Sequence, residues 1–170
     1  KSGREIFFSD AVSCSRCHLQ SRESNATETF SNARYYNIGV PVNTRVRSLN
    51  GKGEEFFDQG LAENSATNRD TAAGRFRVPT LRNVAITGPY MHNGVFQDLR
   101  TAILFHDRFN AGSLQQNPET GEAWGKPEIS ANLAGGELNS HSLSNDQVAA
   151  LIAVLSTITD KSYEHLLPKP

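Results

Sequence analysis

The chain carries two cysteines, Cys14 and Cys17, and His18 follows them directly in the run S-C-S-R-C-H-L. Three chemistries use a C-x-x-C pair. A structural zinc site takes four ligands, usually from two such pairs, and this chain has no second pair. A thioredoxin-type redox pair sits within a β-α-β pattern, which the flanking sequence lacks. C-x-x-C-H is the attachment signature of a c-type haem. Its spacing offers two thiols to the two vinyl groups of one porphyrin, and the next residue presents an imidazole to the iron. Cys14 and Cys17 are therefore expected to anchor one covalent haem c, with His18 as the proximal ligand.

Haem iron that carries electrons usually has a second axial ligand. Met91, His92, His106, His141, His165 and the tyrosines are the candidates. His165, close to the C-terminus, and His141, in a polar loop, read as surface groups. Met91 is a natural ligand in a loop that can approach a ring, with His92 beside it. His106 differs because a helix sets its direction. Leu99, Ala102, Ile103, His106 and Phe109 recur at helical spacing and form one apolar stripe. A lone histidine on such a stripe is more often a hydrogen-bonded core residue, but with a haem in the same core it has an obvious partner.

These residues need elements to hold them. Ile6, Phe7 and Phe8 predict a short helix leading to the cysteines. From about Gln20 to Gly74 the chain is rich in Asn, Ser, Thr and Gly, and reads as a long irregular excursion broken by short elements and wrapped around a haem edge. The stretch from Phe76 to Phe96 holds Pro79, Gly88, Pro89 and Gly94, which predict a turn-rich track. Asp98 is the expected N-cap of the His106 helix. A second loop follows Asn110 and contains Trp124. Ser144 and Gln147 form a capping box, and Val148, Leu151, Ile152, Leu155 and Ile158 the stripe of a last helix. A Pro-rich tail cannot continue that helix. The expected fold is mainly α, a single cytochrome c-type domain over 1–170, with helices and long loops around one haem.

Composition bounds the rest. The 170 residues suit one domain, and a net charge of -1 gives no basic excess for nucleic acid. Hydrophobic residues make up 37% of the chain, below the usual ~45–50%, and a buried porphyrin would substitute for the missing side chains. No apolar run approaches the ~20 residues of a membrane span. No signal peptide is visible at the start, yet c-type haem is attached outside the cytoplasm, so a periplasmic location is expected.

The runs C-S-R-C-H, F-R-V-P-T-L-R-N-V, T-G-P-Y-M-H-N-G-V-F and L-S-N-D-Q-V-A-A-L-I-A-V-L-S-T together resemble the C-terminal haem domain of the bacterial dihaem cytochrome c peroxidase/MauG family. The resemblance implies an electron-transfer haem here and a peroxidatic haem in a second domain or subunit. It places the distal ligand fourteen residues after the histidine of P-Y-x-H-x-G, a methionine in typical members and a tyrosine in the MauG branch. Counted from His92, that position is His106. It departs from both patterns, predicts a bis-histidine iron, and leaves Met91 as a loop residue beside the ring. The resemblance also implies a possible calcium ion on the backbone carbonyls of Thr87 and Pro89, an oxygen donor set that suits this hard ion. Arg77 and Arg82 are candidate partners of the haem propionates. A carbonyl near Pro79 is a candidate to orient the His18 ring.

One C-x-x-C-H motif is half of what a dihaem protein needs. The chain is therefore part of a longer protein, or one subunit beside a second haem subunit, or a stand-alone monohaem carrier or sensor. A small redox protein is a further possible partner. An apolar face around Tyr90 to Phe96 that makes sense only against another domain would favour the first two readings.

Overall fold

The structure, a computed structural model, describes residues 2–12, 14–20, 28–110, 112–138 and 141–168. Among these it is largely helical and loop-rich, with one two-stranded sheet. The chain opens on α1 (Gly3–Phe7), started by a capping box: the Glu5 N–H donates to the Ser2 hydroxyl (3.3 Å) and the Ser2 N–H to the Glu5 carboxylate (3.0 Å). One turn, α2 (Cys14–Cys17), carries the cysteines. The long excursion is confirmed where it is described, interrupted by β1 (Tyr35–Tyr36), α3 (Thr44–Leu49), a 3₁₀ turn at Leu61–Glu63 and α4 (Arg69–Ala72). Its segment 21–27 lies outside the described residues.

The turn-rich track begins differently from expectation. Phe76–Arg77 form β2, antiparallel to β1 in the register Tyr35↔Arg77 and Tyr36↔Phe76. Two residues cannot display a period of two, and the partner strand is distant in sequence, so no local pattern could reveal the pairing. A 3₁₀ turn at Val84–Ile86 follows, and then α5 (Leu99–Asp107). Asp98 does occupy the N-cap position of α5, but its side chain caps nothing. Instead the carboxylate of Glu119 reaches in from the next loop and accepts the N–H groups of Gln97 (3.0 Å) and Asp98 (2.9 Å). A negative charge at this helix end is favoured by the helix dipole.

After the short α6 (Gly135–Leu138), α7 (Asn145–Ser156) starts with the expected box: Gln147 N–H to the Ser144 hydroxyl (3.3 Å) and Ser144 N–H to the Gln147 amide oxygen (2.8 Å). Val148, Leu151 and Leu155 are buried on one stripe. The tail does not continue α7: a separate 3₁₀ helix at Lys161–Leu166 begins under an Asp160 cap.

Two apolar clusters form the interior. In the first, α1 packs on α7, joining Ile6 and Phe7 to Leu81, Leu151 and Leu155. Gly3 permits this approach, since a Cβ there would overlap the Ala150 carbonyl. The second joins Phe105 of α5 to Phe96 and Val40, with Tyr90, Met91, Val95 and Trp124 around them. Tyr90, Met91 and Val95 of this segment are half-buried against that cluster and Phe96 is 1% exposed, while His92 is exposed.

Candidate haem site

The short α2 brings Cys14, Cys17 and His18 to one cavity of about 440 Å³, within the ~300–1,000 Å³ usual for small-molecule sites. The stripe predicted for α5 explains itself at this cavity. Leu99, Ala102, Ile103 and His106 all line it, whereas Thr101, Leu104 and Phe105 are buried in the protein on the helix's other side. α5 is thus covered on two sides, once by side chains and once by the cavity. Its polar ring lies on the cavity side.

Both imidazoles are fixed in the same way. His18 Nδ1 lies 2.9 Å from the Phe30 carbonyl, and His106 Nδ1 lies 2.8 Å from the Ala102 carbonyl one turn back along α5. A carbonyl only accepts, so each Nδ1 carries the proton and donates it. Each Nε2 is left with an unshared electron pair. Burial pushes the His18 pKa down to about 4, against the Phe30 carbonyl that favours the charged form, and His106 lowers it further. The two rings are thus near enough for charge on one to disfavour charge on the other. Burial also lowers His106, with Arg108 adding to the effect against the Ala102 carbonyl. Two neutral imidazoles, each with its second nitrogen engaged, form the donor set that metals take from histidine.

The carbonyl that orients His18 belongs to Phe30, not to a residue near Pro79. Residues 29–31 are bonded to the Pro79 track: Ser31 Oγ donates to the Val78 carbonyl (2.8 Å), and Thr80 Oγ1 donates to the Thr29 carbonyl (2.8 Å). Phe30 holds a left-handed backbone (φ 50), which costs about 1–2 kcal/mol for an L-residue. Pro79 itself still lines the cavity.

The thiols do not resemble a redox pair. Burial raises the Cys14 pKa to about 11, and the nearby charges of Cys17 and Asp107 add to this, whereas reactive dithiols have depressed values. An apolar cavity walled by Phe7, Val78, Leu81 and Leu151, with two thiols and two neutral imidazoles on its surface, fits a c-type haem.

Met91 lines the cavity, half-buried and in a left-handed conformation (φ 70). His92 also borders it, but its ring is stacked on Phe76 with centroids 3.5 Å apart. Burial lowers its pKa, with Asp58 and Glu128 opposing. His141 and His165 are exposed, as expected. Arg77 lies exposed at the cavity rim. Arg82 is not brought to the cavity; its Nε donates to the Glu28 carbonyl (2.5 Å). Thr87 and Pro89 border the cavity at the surface. No group of three or more His, Cys, Asp or Glu suited to a metal ion occurs among the described residues, so a cation at Thr87 and Pro89 would depend on carbonyls.

Sequence reasoning missed Asp107. It is 4% exposed and lines the cavity beside His106. Its carboxylate accepts from Asn110 Nδ2 (2.8 Å) and the Leu143 N–H (3.2 Å). A signal was available, since Leu99, Ile103 and Asp107 follow i, i+4, i+8 on the stripe.

No family model matches the chain. MauG of Paracoccus denitrificans (strain Pd 1222) is 49% identical over 158 residues, 91% of this chain and 41% of MauG. Cytochrome-c peroxidase IdrP1 of Pseudomonas sp. (strain SCT) is 30% identical over 118 residues, 59% of this chain and 29% of that protein. Among solved structures, the diheme peroxidase BthA of Burkholderia thailandensis E264 is similar with a TM-score of 0.73 at 26% identity, over 98% of this chain and 44% of BthA. The chain spans less than half the length of these relatives.

Proposed function

This chain belongs to the MauG/dihaem cytochrome c peroxidase family, and we propose that it is the electron-transfer haem domain of a periplasmic oxidoreductase of that family. A haem-based redox role is common to the family. The finer reading rests on one observation: His18 and His106 border the same cavity as the C-x-x-C pair, each neutral, with Nδ1 bound to a carbonyl and Nε2 free.

In this reading Cys14 and Cys17 hold one haem c through thioethers, and His18 and His106 ligate its iron. When bound, the haem supplies a one-electron ferric/ferrous couple. With both imidazoles committed to the iron, His18 and His106 would leave peroxide no place to bind here, and substrate chemistry would fall to a second haem domain or subunit. Arg77 at the rim serves a propionate, and Met91 packs beside the ring. The carbonyls of Thr87 and Pro89 contribute to a calcium site. No helix among the described residues is long and apolar enough to cross a membrane. The competing reading is a stand-alone monohaem carrier or sensor, and the packing of Tyr90, Met91, Val95 and Phe96 against the second cluster is the observation on its side.

The test is the optical and EPR spectrum of the protein made in cells that mature c-type haem. A low-spin ferric signal with two nitrogen ligands is expected, changing to high spin in His106→Ala. A colourless product, a methionine-to-iron charge-transfer band, or an unchanged spectrum in the variant would overturn the assignment. A second C-x-x-C-H upstream in the gene separates the dihaem reading from the monohaem one.

A further inference from the structure

Beside the main cavity lies a smaller one of about 140 Å³, lined by Tyr36, Asn37, Arg75, Asn132, Leu133 and Ala134. Tyr36, Asn37 and Ala134 also line the main cavity, so the two adjoin. Arg75 Nε is buried with no hydrogen-bond partner, and no carboxylate among the described residues pairs with its guanidinium. Arg75 itself is half-buried, but a buried guanidinium N–H without an acceptor is rare and calls for an explanation.

The backbone around Arg75 is fixed from both sides. Leu61 N–H donates to the Arg75 carbonyl (2.9 Å) and Gly74 N–H to the Gln59 carbonyl (3.0 Å). Gly60, bridged to Arg75, has no room for a side chain, since a Cβ there would come within 2.5 Å of the Arg75 carbonyl. Polar groups that share the small cavity bond elsewhere, and the Tyr36 hydroxyl accepts from Asn32 Nδ2 (3.1 Å). Asn37 donates to the Ile129 (2.8 Å) and Ala131 (2.7 Å) carbonyls and accepts from the Gly39 N–H. Asn132 Nδ2 donates to the Asp70 carbonyl (2.8 Å). What the Arg75 Nε–H lacks is an acceptor, and the lining residues carry no anion.

We propose that the small cavity is a carboxylate subsite in which Arg75 anchors a buried haem propionate; the inference rests on the haem reading above. A guanidinium matches a carboxylate bidentately. Arg75 continues the extended backbone of β2, and two-residue spacing puts Arg77 on the same side. One arginine then serves the buried propionate and the other, at the exposed rim, its twin. Arg75 is a positioning and tuning residue.

The experiment compares the haem-loaded parent with Arg75→Gln, Arg75→Lys and Arg77→Gln, using intact mass, absorption and equilibrium redox titration. Arg75→Gln is expected to keep its covalent haem and low-spin spectrum while its midpoint potential falls, because an unpaired carboxylate favours the ferric charge. Arg75→Lys restores part of the shift, and Arg77→Gln at the rim moves the potential less. A haem-loaded Arg75→Gln with the parent's potential overturns this inference alone, whereas a parent without haem overturns the functional reading as well. If Arg75→Gln does not fold, redox-difference infrared spectra of the parent and Arg75→Lys decide. A shifted carboxylate stretch supports the anchor, and an unmoved one rejects it.

Discussion

At the scale of single residues, the chain fixes each proposed iron ligand through the nitrogen that would not face the metal. His18 and His106 come from unrelated elements, yet each gives its Nδ1 proton to a backbone carbonyl. That fixes the tautomer and the ring's orientation before any ligand arrives. Replacing His106 by Met keeps a side chain of suitable length but exchanges imidazole for thioether. The variant should stay six-coordinate and low-spin with a raised midpoint potential, as read by redox titration; a potential at or below the parent's contradicts the ligand assignment. Arg47 and Glu128 show a different residue-scale economy. Their ion pair (2.7 Å) is nearly closed to solvent, and Glu128 also accepts the Asp58 N–H (2.9 Å). Glu128→Ala strands a buried cation, so a loss of about 3–5 kcal/mol is expected in urea unfolding of the haem-loaded protein.

At the scale of elements, short helices depend on their ends. α7 spans 12 residues and forms one side of the first cluster. Ser144→Ala removes half of its capping box and should cost about 1 kcal/mol in the same assay. The box and the stripe behind it were legible because both depend on spacing within one helix. Asp98 holds the N-cap position as expected, but Glu119, from another loop, supplies the capping charge there. The loop after the haem motif carries strain at Ala33, an exposed residue at φ 55. Ala33→Gly relieves a left-handed alanine and should stabilise the protein by about 0.5–1 kcal/mol after glycine's own entropy cost. A loss of stability would mean that this backbone conformation is not kept in solution.

At the scale of the whole molecule, the cavity matches the low apolar content. A haem seated there would bring a large apolar surface against Phe7, Val78, Leu81 and Leu151, and a typical domain is stable by only ~5–15 kcal/mol. The double replacement of Cys14 and Cys17 by Ala, which cannot retain a covalent haem, should lose most of its cooperative thermal transition by circular dichroism. A melting temperature within a few degrees of the parent's would show that the chain folds without the group. The chain also covers only 41% of MauG and 44% of BthA, so the proposed division of labour places substrate chemistry outside it.

The sequence by itself determined the haem motif, the amphipathic stripe that presents His106 and the capped final helix. These rest on spacings within one turn or one helix, and local stereochemistry is enough to set them. Only the tertiary structure decided that Phe30 rather than the Pro79 region orients His18. It also brought Asp107 to the main cavity and Arg75 to the smaller one beside it. Those outcomes depend on which distant segments lie against one another. A carbonyl or a guanidinium carries no mark in the sequence of the partner that chain packing will bring to it.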